Sequence, residues 1–129
     1  MNRIVLVSVL TLSLLPSADA KQAQLEPNVV ASITELTIDS GGHRMPGLIY
    51  LANGPGPHPT VLLLHGFPGN EKNLDIAQDL RRNGFNVLFF HFRGSWGADG
   101  SYRVSGLPAD VDAVLSYLRQ PDNAQKPTI

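Results

Sequence analysis

The chain of 129 residues contains no cysteine. That absence excludes disulfide bonds, thiolate metal sites and a cysteine nucleophile. An excess of basic charge is also missing, because 10 lysines and arginines stand against 11 aspartates and glutamates and give a formal net charge of −1. A near-neutral chain lacks the basic surface of a nucleic-acid-binding protein, so no nucleic-acid partner is expected. Hydrophobic residues make up 43% of the chain, which is enough to bury a core.

Residues 1–20 have the pattern of a secretory signal peptide. Arg3 supplies a positive charge, Ile4–Leu15 is mostly apolar, and Ala18–Ala20 gives the small-residue cleavage pattern. Twelve residues rise about 18 Å as a helix, well short of a bilayer core of about 30 Å, so a membrane-spanning anchor is the weaker interpretation. We therefore predict cleavage after Ala20 and one secreted or periplasmic domain over residues 21–129, with no membrane span.

The first part of that domain suits a β-hairpin. Val30–Asp39 is rich in β-branched residues, and Arg44–Leu51 follows it as a partner strand. Ser40–Gly42 between them has the composition of a tight turn. Pro46 and Gly47 weaken the second strand and favour an edge position or a bulge there.

Two later segments, Thr60–Leu64 and Phe85–Phe90, are apolar without alternation, as expected for strands buried on both faces. A helix of about Glu71–Arg82 separates them, and a second helix with Pro108 in its first turn follows. Buried strands that alternate with helices predict an α/β fold with a parallel sheet.

Ligands of such sheets bind beyond the carboxyl ends of the strands, where this chain has two loops, His65–Asn70 and His91–Gly106. The first loop could cradle an anion, because its backbone N–H groups point outward before a helix. Neither loop matches the phosphate-binding pattern G-x-x-x-x-G-K-[ST] or the dinucleotide pattern G-x-G-x-x-G. The four histidines lack metal-binding spacing, so neither a metal nor another cofactor is expected.

The first loop contains HGFPG at residues 65–69, and the second contains RGSWG at residues 93–97. These motifs resemble the oxyanion loop and the following R-G-x-G segment of α/β-hydrolases. The resemblance extends over about residues 32–129 and is greatest to the prolyl-oligopeptidase and dienelactone-hydrolase-like branch. It implies the amino-terminal part of an α/β-hydrolase fold, in which a leading β-hairpin precedes parallel strands that alternate with helices.

The resemblance also implies roles for the first motif. The backbone N–H of Phe67 would donate to the oxyanion, and Gly66 would let the chain approach the site closely. His65 would be a structural residue of the loop rather than the general base. Ordinary residues of a strand-to-helix turn are the alternative interpretation. His91 stands where the family often has aspartate, which puts the hydrogen bonding of the second loop in question.

The family places its nucleophile in a G-x-S-x-G turn, and no such motif occurs in the 129 residues. Ser95 follows the wrong strand and has arginine two residues before it, and Ser105 also lacks the pattern. Asp110 and Asp112 are better explained as charges favoured at the amino end of a helix than as acid partners. The resemblance therefore places the triad beyond Ile129 and predicts an incomplete sheet.

Three functional hypotheses follow. The chain is the amino-terminal portion of an exported serine hydrolase that acts on a small ester or a peptide, and is inactive by itself. Alternatively, it belongs to an epoxide-hydrolase or dehalogenase-like protein with an aspartate nucleophile, or it is a non-catalytic truncated module. In the family's sheet order Thr60–Leu64 would border a missing strand, so its exposed edge predicts self-association.

Overall fold

The computed structural model describes residues 30–120, which contain four strands and two α-helices. The strands are β1 (Ser32–Ser40), β2 (His43–Leu51), β3 (Thr60–Leu63) and β4 (Asn86–Phe90). The helices are α1 (Leu74–Arg82) and α2 (Leu107–Leu118), and a 3₁₀ turn, Val104–Gly106, precedes α2. The predicted signal peptide lies outside the described residues, as do residues 21–29 and 121–129 of the predicted domain.

Strands β1 and β2 form the predicted hairpin and pair antiparallel over their whole length. The turn depends on two glycines, since Gly41 and Gly42 have φ angles of 59° and 82°. Residues with a side chain rarely adopt this left-handed conformation, which two-residue hairpin turns require. The carboxylate of Asp39 accepts a hydrogen bond of 3.1 Å from the N–H of Gly42 and stabilises the turn.

Strand β2 lies inside the sheet, between β1 and β4, so the expectation of an edge strand or bulge at Pro46 and Gly47 is wrong. The carbonyl oxygen of Pro46 accepts a hydrogen bond of 2.9 Å from the N–H of His91. Because the C=O and N positions of a strand residue point to the same side, the missing N–H of Pro46 faces away from β1 and weakens no hairpin bond. Gly47 permits close strand approach, since a Cβ there would lie 2.6 Å from the carbonyl oxygen of Phe89.

The strand order is β1-β2-β4-β3, with β3 parallel to β4 and α1 connecting them. This order confirms the expected part of an α/β fold, a leading hairpin followed by parallel strands that alternate with helices. Strand β3 lies at one end of the sheet and has a neighbour on one side only within residues 30–120. The sheet is therefore open at β3, as expected.

The two helices cover opposite faces of the sheet. Alternate residues of β4 divide between two apolar clusters, because successive side chains of a strand point to opposite faces. Val87 packs in the smaller cluster, with Tyr50 and Ala77 of α1. The larger cluster, against α2, consists of the following buried side chains: Ile38, Met45, Ile49, Leu88, Phe90, Phe92, Val114 and Leu118. No helix of the described segment is long and apolar enough to cross a membrane.

The burial of the two parallel strands differs. All five residues of β4 are buried, which confirms the prediction for that strand. The four residues of β3 are only half-buried and Leu64 is 44% exposed, so the expectation of burial on both faces is wrong there. In the described part of the chain, β3 has a neighbouring strand on one edge only, and its other edge is not covered by a strand. The apolar run indicated a strand, and its position in the sheet determined its exposure.

Candidate functional site

The two predicted loops lie at the carboxyl ends of β3 and β4. In the first loop, residues 65–70, no backbone N–H donates to a backbone carbonyl of the described chain. Two side-chain hydrogen bonds hold its carbonyls instead, one from His65 to Gly66 and one from Trp96 to Pro68. The conformation of this loop therefore depends on side chains, and one of them belongs to the second loop.

The imidazole of His65 connects the two loops. Its ring is buried, Nδ1 lies 2.7 Å from the carbonyl oxygen of Gly66, and Nε2 lies 3.3 Å from the backbone nitrogen of Phe92. A backbone N–H can only donate, so Nε2 must accept and Nδ1 must carry the proton that is donated to Gly66. His65 is thus held as the neutral Nδ1–H tautomer with both nitrogens engaged. This is the geometry of a structural loop histidine.

Gly69 fits between two rings. Its φ angle is 88°, and a Cβ there would lie 2.8 Å from Nδ1 of His65 and 3.3 Å from Cδ1 of Trp96. The indole N–H of Trp96 donates a 3.1 Å hydrogen bond to the carbonyl oxygen of Pro68. Only glycine allows this backbone to pass between the two side chains, which explains the last residue of the HGFPG motif.

Phe67 presents a free donor and an exposed ring. Its backbone N–H has no hydrogen-bond partner among residues 30–120. Its side chain is 76% exposed and lies against Tyr102, with ring centroids 4.9 Å apart. Residues 66–71 surround a concavity of about 280 Å³ at this point. The arrangement offers a backbone donor to a small ligand.

The second loop folds tightly on itself. The N–H of Gly94 donates to the carbonyl of Asp99, and a Cβ on Gly94 would overlap the backbone of Ser101 and Tyr102. Ser95 is buried, with its N–H bonded to the carbonyl of Phe92. The RGSWG motif therefore builds a compact turn that carries Trp96 and Tyr102 toward the first loop.

The buried carboxylate of Asp110 anchors the second loop to the rest of the fold through an ion pair with Arg93, whose side chain is 24% exposed. Nε of Arg93 lies 2.5 Å from the carboxylate of Asp110, which is 2% exposed. The same carboxylate accepts hydrogen bonds from the hydroxyl of Ser40 at 2.9 Å and from the backbone N–H of Arg93 at 3.2 Å. Asp110 thus joins α2, the second loop and the end of β1, a role that the interpretation as a helix-end charge missed. Its spacing of four and eight residues from Val114 and Leu118 was the available signal, because it places Asp110 on the buried helix face.

His91 is buried without a hydrogen bond to Nδ1. Burial, with a smaller effect of the Lys72 charge, lowers the pKa of His91 to about 4, so its ring is neutral at pH 7. The ring packs between aromatic neighbours, with centroids 5.3 Å from His65 and 5.0 Å from Phe89. Where the family often has a charged aspartate, this chain has a neutral ring that contributes packing.

His58 lies outside the two loops, and the side chain of Asp99 in the second loop points to β2. His58 bonds the carbonyls of Gly54 and Gly84, and Asp99 forms an exposed ion pair with Arg44. Hydrogen bonds from Arg44 hold the pKa of Asp99 below its usual range. Within the described segment, no group of three or more histidines and carboxylates is placed to hold a metal.

Comparison with solved structures relates this geometry to known proteins. An α/β serine hydrolase homologue from Coxiella burnetii matches with a TM-score of 0.58 and 23% identity, covering 66% of this chain and 44% of that chain. Est1E from Butyrivibrio proteoclasticus, solved with ferulic acid bound, matches with a TM-score of 0.60 and 22% identity over 66% and 37% of the two chains. The Pyrococcus furiosus esterase Pf2001 matches with a TM-score of 0.58 and 22% identity, covering 73% of this chain and 40% of that chain. This chain has part of an α/β-hydrolase fold.

The sequence comparisons are narrower. Epoxide hydrolase 3 of Xenopus tropicalis is 32% identical over 62 residues, which cover 48% of this chain and 17% of that protein. No family model matches. The chain therefore spans less than half of each hydrolase structure named above and about a sixth of this curated relative. Its placement in the prolyl-oligopeptidase and dienelactone-hydrolase-like branch stays a prediction.

The buried ion pair predicts a large loss of stability in Asp110→Ala. The substitution leaves the Arg93 guanidinium without its counter-charge and costs about 3–5 kcal/mol of unfolding free energy. Asp99→Ala is the matched control, because its pair with Arg44 is exposed and such pairs contribute little. Urea unfolding measures both variants, and equal losses would contradict a special role for Asp110.

The pKa of His91 predicts a pH dependence of folding. The folded protein holds this pKa at about 4, below its ordinary value of 6.5, so the unfolded chain binds more protons between these values. Stability is expected to fall as the pH decreases through this window. Between pH 6.5 and 5, urea midpoints should fall less steeply in His91→Phe than in the parent, whereas His43→Asn retains His91 and the parent slope. Equal slopes in the parent and His91→Phe would count against this account.

Proposed function

We propose that this chain carries the oxyanion-stabilising part of an exported α/β-hydrolase that transfers an acyl group from an ester or peptide to water. The observation that supports this proposal most is the N–H of Phe67 beyond the carboxyl end of β3, which has no hydrogen-bond partner within residues 30–120. A donor fixed by backbone geometry stabilises the negative charge that develops on the carbonyl oxygen, with little reorganisation. The fold similarity to serine hydrolases and esterases agrees with this chemistry.

The residues of the first loop would have different roles in this reaction. Phe67 would donate to the oxyanion, and Gly66 would let the substrate carbonyl approach. His65 would position the loop and would not act as the general base, because both of its nitrogens already form hydrogen bonds. With no G-x-S-x-G motif in the 129 residues, we propose that serine, acid and catalytic histidine belong to sequence beyond residue 129.

The experiment begins with the reading frame beyond codon 129, where a G-x-S-x-G motif is expected. In the longer hydrolase, Phe67→Pro removes the proposed oxyanion donor and should lower kcat about 10²–10³-fold. Phe67→Ala keeps the N–H and should have a much smaller effect on kcat with p-nitrophenyl acetate. The 129-residue chain alone should show no hydrolysis above background. Equal kcat values for the two variants would refute the backbone role, and turnover by the short chain that one substitution abolishes would refute the missing nucleophile.

An epoxide-hydrolase-like activity is the second candidate, because of the 32% identity to Epoxide hydrolase 3. Such an enzyme would use an aspartate nucleophile at the position of the serine. The same reading frame distinguishes the two candidates, since aspartate in place of serine at the turn after the next strand favours the epoxide hydrolase.

We further propose that the short chain associates with itself through the free edge of β3. Within residues 30–120 the outer edge of β3 has no strand neighbour, and this edge, with the exposed Leu64 that follows the strand, resembles a template for another strand. Light scattering at high micromolar concentration should show oligomers or insoluble protein, and Leu64→Lys should shift the population toward monomer. Ile76→Lys is the control, because Ile76 is 47% exposed and lies on α1 rather than on β3. A monodisperse parent monomer would contradict the proposal and support a non-catalytic module.

Export is proposed from the pattern of residues 1–20. The protein recovered outside the cytoplasm should begin at Lys21, and intact-mass measurement should show the loss of the first 20 residues. A protein that retains Met1–Ala20 in the cytoplasm would contradict export.

A further inference from the structure

Three aromatic side chains lie at the first loop: Phe67 belongs to it, Tyr102 contacts the Phe67 ring, and Trp96 is bonded to the carbonyl of Pro68. Phe67 is 76% exposed, Trp96 is 58% exposed, and Tyr102 is half-buried against Phe67. Each large exposed ring leaves apolar surface in water, and such surface grouped at one place marks a ligand or partner site. The proposed catalytic role of Phe67 needs only its backbone, so it leaves these three rings unexplained.

The rings are held in place. The indole N–H of Trp96 is bonded to the carbonyl oxygen of Pro68, which fixes the orientation of the ring. The rings of Phe67 and Tyr102 pack at a centroid distance of 4.9 Å and an interplanar angle of 47°. The backbone of Ser101 and Tyr102 packs so closely against Gly94 that only glycine fits at that position. A surface ordered before a ligand arrives loses little conformational entropy on binding.

The proposed backbone donor and one of the exposed rings belong to the same residue, Phe67. A carbonyl oxygen that accepts from the N–H of Phe67 brings the group attached to that carbonyl close to the Phe67 ring. Aromatic rings attract other rings in tilted or offset arrangements by about 0.5–1.5 kcal/mol beyond their buried area. An aromatic group joined closely to a carbonyl would therefore use both features at once.

We propose that Phe67, Trp96 and Tyr102 form an aromatic subsite that selects esters with an aromatic group next to the carbonyl. This inference rests on the proposed function, because it assigns the carbonyl of the ester to the N–H of Phe67. It specifies the substrate class as aryl-substituted esters rather than short aliphatic ones. The ring of Phe67 recognises the substrate, while its backbone stabilises the oxyanion.

Trp96 provides the measurement, since it is the single tryptophan of the chain. Low micromolar protein is titrated with ethyl phenylacetate while the Trp96 fluorescence is recorded. We expect a saturable change, with weaker binding of ethyl acetate, which lacks the ring, and of butylbenzene, which lacks the carbonyl. Equal affinities for the three probes, or no saturable change with ethyl phenylacetate, would overturn the subsite.

Variants separate the subsite from general hydrophobic binding. Phe67→Ala keeps the N–H and removes the ring, and should weaken ethyl phenylacetate binding about 2–12-fold. Ile76→Ala removes an exposed apolar side chain on α1 and should leave the dissociation constant unchanged. Equal weakening in both variants would overturn the proposal. The titration involves no turnover, so the subsite can fail while the oxyanion role of Phe67 holds, and the reverse is equally detectable.

Discussion

The two hydrogen bonds of one buried imidazole determine the geometry at the end of the parallel strands. His65 donates from Nδ1 to Gly66 in its own loop and accepts at Nε2 from the N–H of Phe92 in the other loop. Among the described residues, no backbone N–H of the first loop donates to a backbone carbonyl that could replace them. Because the ring of His65 forms one hydrogen bond with each loop, the position of Phe67 depends on where the second loop lies.

The second loop is itself held by the fold behind it. The Asp110 carboxylate pairs with Arg93 and accepts a hydrogen bond from Ser40, so α2, the loop and β1 meet at one buried charge. Removal of the Asp110 carboxylate would leave the Arg93 guanidinium without a counter-charge. Breaking such a pair costs more stability than the intact pair contributes. From β1 to the first loop, the polar contacts form a series that runs from Ser40 to Asp110 and Arg93, and from Phe92 to His65. The open edge at β3 lies beside this arrangement and does not enter it.

The sequence predicted the parts of the structure that rest on local pattern. The apolar run of β4 indicated a buried strand, and the same kind of run in β3 indicated the strand but overstated its burial, since burial depends on neighbours that a run does not encode. The sequence predicts that α1 begins at about Glu71, whereas the helix begins at Leu74, because Asn73 adopts a left-handed φ of 51° that the apolar pattern does not encode. The loops were recognised by their motifs. The pairing of Arg93 with Asp110 joins residues 17 apart in the chain, and only the tertiary fold brings them together.

His65 connects the two loops as a neutral ring whose two nitrogens both form hydrogen bonds. The most direct measurement is the tautomer of His65 at pH 7, from the nitrogen chemical shifts of its ring in a long-range ¹H–¹⁵N spectrum. We expect protonation at Nδ1 and an unprotonated Nε2 that accepts from the N–H of Phe92. A ring protonated at Nε2 could not accept that hydrogen bond, and this result would contradict the account.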